Sequence, residues 1–292
     1  MVTFSPVFPV PALSVTGQGG VTTAGQLLDR GGDRETVATG WPALDGLLPG
    51  GGVRRGSLVE WLAGTADGAA AGCVSGAATL ACAIACRLAA PRRTRRGGMV
   101  VVIDRAGWFH PPAVLPWLGA DATSRLVVAR PSRDDDEIWT IEQALRCAGV
   151  AAVVAWPRLA AAWSLGRGVA VEHGRAGRGS LQQWTTAMRR WQLAARSGGA
   201  VGLFVRSPAA LGEPSWAESR LDVSPLPGGS LLERRLRITR VGGAWCGAEP
   251  GAGRPVEIVI DLAVGSSIRS SLGSSIGRAA VVAKEGVSCR AS

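Results

Sequence analysis

A chain of 292 residues with 47% hydrophobic content has room for one large α/β domain or two small ones and can bury a sizeable core. Its 41 glycines and 17 prolines stay below the share of roughly 25–30% that marks low-complexity chains, so a wholly unfolded protein is excluded. The formal net charge of +10 rests on arginine, because Lys284 is the sole lysine, and it predicts attraction to polyanions.

Six cysteines (Cys73, Cys82, Cys86, Cys147, Cys246 and Cys289) show no CxxC spacing, and only His110 and His173 could join them. A zinc site of ordinary spacing is not expected, and Cys82 and Cys86, four apart, read as small buried residues of one helix face. The N-terminus shows no basic segment followed by an apolar core, so no secretory signal is expected. The uncharged run Gly68–Cys86 is long enough to raise the question of a membrane, but it is poor in Leu, Ile and Phe. A soluble cytoplasmic protein with no membrane partner follows as the expectation.

Residues 1–32 lack sustained periodicity and read as a flexible lead-in with one short helix near Thr23–Leu28. A core domain is expected over 33–263. Ser57–Ala63 reads as a strand, followed by a Gly-rich loop and a small-residue helix over Gly76–Ala89. Met99–Ile103 is a continuously apolar strand, Pro111–Leu118 a short helix and Leu126–Ala129 a further buried strand. From Ser132 a helix is predicted, with Asp134, Asp135, Asp136 and Glu137 in its first turn, where the helix dipole favours negative charge. Ile138, Ile141 and Leu145 form its inward stripe, and Gly149 marks its stop.

Ala151–Trp156 is the next apolar strand, and Arg158–Gly179 reads as a loop. Leu181, Trp184, Met188, Trp191 and Ala195 recur at helical spacing, which predicts an amphipathic helix over Leu181–Arg196 with both of its tryptophans in the core. Ala200–Val205 is a strand. Arg220–Val223, Leu231–Arg240 and Val256–Asp261 read as antiparallel strands joined by Gly/Pro turns. Residues 264–292, rich in Ser, Gly and Ala, are expected to be disordered. The fold class is α/β, with a mainly parallel sheet flanked by helices and a C-terminal antiparallel extension.

In a nucleotide-binding α/β domain the first strand ends in a GxxxxGK[ST] loop, whose backbone amides and lysine hold the phosphates. Here Gly64, Gly68 and Gly72 keep the glycines of such a loop, but the lysine is missing. Lys284 lies in the tail, so no core residue can supply it. Asp67 would also repel phosphate.

The ordered series Thr39-Gly40-Trp41-Pro42-Ala43-Leu44-Asp45, Gly50–Glu60, Met99–Pro112 and Leu118–Val128 resembles the RecA recombinases. Ala155-Trp156-Pro157 and Arg189–Ala195 bring it closest to the ImuA family, also called SulA-like, whose members are accessory factors of inducible mutagenesis. The resemblance covers about Thr39 to Asp261. It implies a RecA-like core, an ImuB-like Y-family protein and an error-prone C-family DNA polymerase as partners, and translesion synthesis as the setting. A cell-division inhibitor of the SulA type is the alternative, and a non-hydrolysing DNA-binding protein a further one.

Against the RecA pattern, Ala106 stands where the catalytic glutamate would be, and Trp156 where the magnesium-organising aspartate would be. Without lysine, base and metal partner, phosphoryl transfer lacks charge stabilisation and an activated water. No enzyme activity, cofactor or metal is therefore expected. Arg167, Arg175 and Arg178, in the Gly-rich segment Ser164–Gly179, together with Arg189 and Arg190, are the candidates for DNA contact, since arginine tracks phosphates and stacks on bases.

Overall fold

Uncharged runs such as Met99–Ile103 and Val150–Ala155 can be covered on both faces, and they form the middle of an eight-stranded sheet. The computed structural model describes residues 34–63, 76–91, 97–118, 122–157, 176–228, 233–243 and 254–261. The chain divides into Met1–Asp33 and Arg34–Ser292, and all described residues belong to the second unit. The expected helix near Thr23–Leu28 and the expected disorder of 264–292 lie outside the described residues.

In chain order the elements are β1 (Thr36–Val37), α1 (Pro42–Asp45), β2 (Val53–Arg54), β3 (Leu58–Ala63), α2 (Ala77–Ala89) and β4 (Met99–Ile103). A 3-10 turn (Pro111–Ala113), α3 (Leu115–Leu118), α4 (Ala122–Arg125), β5 (Leu126–Ala129), α5 (Asp134–Arg146) and β6 (Val150–Ala155) follow. Then come α6 (Ala176–Gly198), β7 (Val201–Arg206), a 3-10 segment (Pro208–Gly212), β8 (Ser219–Pro225), β9 (Glu233–Gly242) and β10 (Val256–Asp261).

The sheet runs in the order β10-β9-β8-β3-β7-β6-β4-β5. From β8 to β5 every pairing is parallel, and β8–β9 and β9–β10 are antiparallel. This is a RecA-like core: a mainly parallel sheet flanked by helices and closed by an antiparallel extension. Alternation along the strands separates two hydrophobic layers. Val59 and Trp61 of β3 pack with α2 on one face. Leu58 of the same strand packs with α5 and α6 on the other. The helices of the second face approach closely where Gly198 ends α6, since a Cβ there would collide with Leu145 O of α5.

Trp184 and Trp191 are fully buried, as the helical stripe predicts, and meet edge to face with ring centroids 5.6 Å apart. Trp191 also meets Phe204 of β7 at 5.2 Å and donates its indole N–H to Ile138 O at 3.0 Å. That bond offsets the cost of taking the indole N–H out of water. Cys82 and Cys86 are buried in α2, also as predicted.

Several expectations are corrected. Leu126–Ala129 is a strand but not a buried one: β5 is the sheet edge with a single neighbour, and Val127 is exposed. Arg220–Val223 belongs to β8, which is antiparallel to β9 as expected, and on its other side it also pairs parallel with β3, because the chain crosses β3 between β7 and β8. The segment read as a loop to Gly179 gives way to helix at Ala176, so Arg178 sits in the first turn of α6. Leu181, expected on the buried stripe, is exposed near the start of that helix. The helix predicted from Ser132 starts at Asp134, with Arg133 extended at its N-cap. Pro111–Leu118 is divided between a 3-10 turn and α3. Among the described residues, no helix is long and apolar enough to cross a membrane.

Candidate functional site

In open α/β sheets ligands bind beyond the carboxyl ends of the strands, where neighbouring loops leave toward opposite faces. Here β3 leads to α2 on one face, while its neighbour β7 leads to the 3-10 segment that crosses to β8. A RecA-like nucleotide site would use the ends of β3, β4 and β6. Gly64, Gly68 and Gly72, at the P-loop position, lie outside the described residues, as does Asp67.

The ends of β4 and β6 are described. Asp104, just past β4, is buried, and both its oxygens are engaged: Trp108 N donates to Oδ1 and Phe109 N to Oδ2, each at 2.9 Å. Arg130 Nε stands 3.6 Å from Oδ2. The carboxylate thus closes the Arg105–Phe109 turn. Ala106 in that turn has no proton acceptor in its side chain. Trp156, just past β6, is buried and packs against Phe109 with ring centroids 6.5 Å apart. An indole and a phenyl ring occupy the place where a metal-organising carboxylate would stand. These residues do not fit a magnesium nucleotide, which needs oxygen ligands and a cationic phosphate partner.

Beside this edge lies a charged network that the sequence reading missed. Glu60, in the middle of β3, is fully buried and accepts from Arg206 Nη1 at 3.1 Å and from Arg220 Nε at 2.7 Å. Arg206 also pairs with Glu213 and stacks its guanidinium 3.7 Å from the Trp184 ring centre. Arg220 donates to the carbonyls of Leu211 and Glu213 at 3.1 and 3.2 Å, and to that of Ala210. The network ties β3, β7, β8 and α6 together at the switch between the two faces. Its signal in the sequence is a lone glutamate inside an otherwise apolar strand, with an arginine ending another.

Of the predicted DNA-contact arginines, Arg189 and Arg190 are the two whose side chains are described, and they face different neighbours. Arg167 and Arg175 lie outside the described residues, and Arg178 lies in the first turn of α6. Arg189 lies over the Trp216 ring at 4.6 Å and donates to Gln192. Arg190, one residue on, turns the other way and pairs with Glu142 of α5. Arg146 Nη2 meets the same carboxylate at 2.6 Å. Arg190 therefore serves to join α5 to α6.

Between those helices is a groove of about 690 Å³, lined by Asp135, Asp136, Trp139, Gln182, Gln183 and Arg190 among others. Trp139 is 60% exposed there, the most exposed large hydrophobic side chain among the described residues.

At the amino-terminal edge, burial raises the pKa of Glu218 above its ordinary value of 4.5, against the lowering pull of Arg54, Ser57, Arg196 and Arg240. The folded chain thus holds this proton to higher pH than the unfolded chain does. Stability from this group is present below the ordinary value and falls as pH rises through the raised one. Glu218→Gln is expected to gain stability relative to the natural chain as pH climbs above 4.5, read from urea midpoints across pH. A parallel pH profile for the two proteins contradicts this.

Burial also pushes the Cys86 thiol up to about 12, and Cys82 is raised in the same way. In the native chain, alkylation at neutral pH is therefore expected to spare Cys82 and Cys86 and to modify the exposed Cys147, as peptide mapping would show. Comparison with family models and with curated proteins finds no match to this chain.

Proposed function

We propose that this chain is a non-hydrolysing RecA-like adaptor of the cytoplasmic DNA damage response. It would join an ImuB-like Y-family protein to an error-prone C-family DNA polymerase in translesion synthesis, with DNA as a further contact. The observation that carries the reading is the carboxyl edge of the sheet. Among the described residues there, Trp156 packed on Phe109, Ala106 in the turn and Asp104 spent on two backbone amides offer phosphoryl transfer no free base or metal ligand. A fold retained without that chemistry suits docking, since an interface needs shape and anchors but no hydrolysis.

The groove between α5 and α6 supports docking, with an exposed tryptophan of the kind that anchors interfaces. Affinity capture of the tagged full chain from DNA-damaged cells, followed by mass spectrometry, is expected to retain both proteins. Trp139→Ala is expected to reduce that capture while shifting stability by no more than about 0.5 kcal/mol, because the side chain is exposed. An unchanged mutagenic response in cells lacking the chain would sink the reading.

A further inference from the structure

Arg54, Arg189 and Arg196 come from β2 and α6 to one corner at the amino-terminal edge of the sheet, the edge opposite Asp104 and Trp156. The backbone brings them there. Gly56 has φ 71°, and a Cβ on it would sit 3.0 Å from Ala195 O and 3.3 Å from Arg196 Cα. The β2–β3 turn therefore lies directly against the last turn of α6, a contact that a larger residue would prevent.

Glu218 is held beside this turn by its own N–H, which donates to Leu58 O at 2.8 Å. Its Oε1 stands 3.3 Å from Arg54 Nη1. Arg196 and Arg240 also act on its charge, and Arg34 adds a further cation beside Arg196. Arg189 completes the corner from two turns up the helix, over the half-buried Trp216. Of the nearby carboxylates, Glu35 faces Arg55 at 3.1 Å. Glu218 is thus the acid on which Arg54, Arg196 and Arg240 converge, with Arg34 and Arg189 beside Arg196.

Like charges gathered around one carboxylate leave a strong local excess of positive potential. Arg196 registers it: burial, and after it the neighbouring charges of Arg34 and Arg189, lower its pKa. Arg34 is exposed, and Arg54, Arg189 and Arg196 are half-buried, so their guanidiniums are ordered yet within reach of a ligand.

We infer that this corner binds the phosphodiester backbone of a nucleic acid. Guanidinium groups recognise phosphate oxygens in pairs, and arginine does so better than lysine. Arg189 and Arg196 are seven residues apart, about 10 Å along the helix axis, a span that suits successive phosphates of a strand better than a single ion. The inference rests on the nucleic-acid part of the reading above. It places that contact at the amino-terminal edge of the sheet.

The test uses the full chain, a fluorescein-labelled oligothymidylate read by anisotropy over a salt series, and inorganic phosphate as a competitor. Arg54→Ala with Arg196→Ala is expected to weaken binding by about tenfold or more at low salt and to flatten the log–log salt slope by about 1.4. A charge-matched pair outside the corner, Arg133→Ala with Arg237→Ala, is expected to stay within about twofold of the natural chain. Glu218→Gln is expected to bind several-fold tighter, a gain that a merely structural role would not give. Should the double alanine variant melt early, Arg54→Lys with Arg196→Lys keeps the charges and is expected to retain most of the affinity.

Equal loss in both alanine pairs, or weaker binding by Glu218→Gln, overturns the inference. Displacement of the oligonucleotide by millimolar phosphate with no response to Glu218→Gln also overturns it, in favour of a free-anion site. Partner capture is read separately. Its failure with oligonucleotide binding intact removes the adaptor reading alone.

Discussion

Replacing Glu60 with alanine is expected to lower the unfolding free energy by about 3–5 kcal/mol and the melting temperature by roughly 10 °C. The carboxylate is fully buried and is the shared acceptor of Arg206 and Arg220, so its removal leaves two guanidiniums in the interior with one acid, Glu213, between them. The cost comes mainly from those stranded charges, since an intact buried ion pair need not be stabilising compared with apolar residues of the same volume. Glu60→Gln keeps an acceptor for one hydrogen bond and should fall between the natural chain and Glu60→Ala. Urea unfolding followed by tryptophan fluorescence measures all three. A loss under about 1 kcal/mol for the alanine variant would mean that water or a shifted side chain compensates the arginines.

Trp191→Ala is expected to cost a similar amount, about 3–5 kcal/mol, by a different route. The indole lies between Trp184 and Phe204, so truncation opens a cavity in the layer that joins α6 to the sheet. It also strips the Ile138 carbonyl of α5 of its donor. Trp191→Phe refills much of the volume and should cost only about 1–3 kcal/mol, chiefly through the lost hydrogen bond. The difference between the two variants separates packing from polar satisfaction. Equal losses would mean that the hydrogen bond dominates.

Much of this architecture was legible because period and punctuation agree. Met99–Ile103 and Ala151–Trp156 are short, uncharged and bounded by turns, and the 3.6-residue stripe through Trp184, Met188 and Trp191 is long enough to leave no doubt about helix. What escaped depends on neighbours distant in sequence. The parallel pairing of β8 with β3 follows from where the chain crosses after β7, and the strand's own residues do not encode that crossing. The exposure of Val127 follows from β5 being an edge, which only the sheet order reveals. The start of α6 at Ala176 was hidden by glycines at 177 and 179, poor helix formers that the long helix beyond them carries along.

The candidate site divides in the same way. Missing lysine, Ala106 and Trp156 could be read from single positions. The Glu60 network and the arginine corner could not, since the first joins Glu60 to Arg220 and the second Arg54 to Glu218, residues far apart in the chain. Arg189 and Arg190 look equivalent in the chain, yet they face opposite neighbours because adjacent helical residues point about 100° apart.

We propose that a RecA-like frame persists here without nucleotide chemistry. The most direct test mixes the full chain with magnesium and radiolabelled ATP and follows both binding and phosphate release. Neither saturable binding nor release above the buffer rate is expected, with or without DNA. Saturable binding with turnover that disappears on Asp104→Ala would overturn this proposal, because it would show that the closed turn at the end of β4 opens to hold a metal nucleotide.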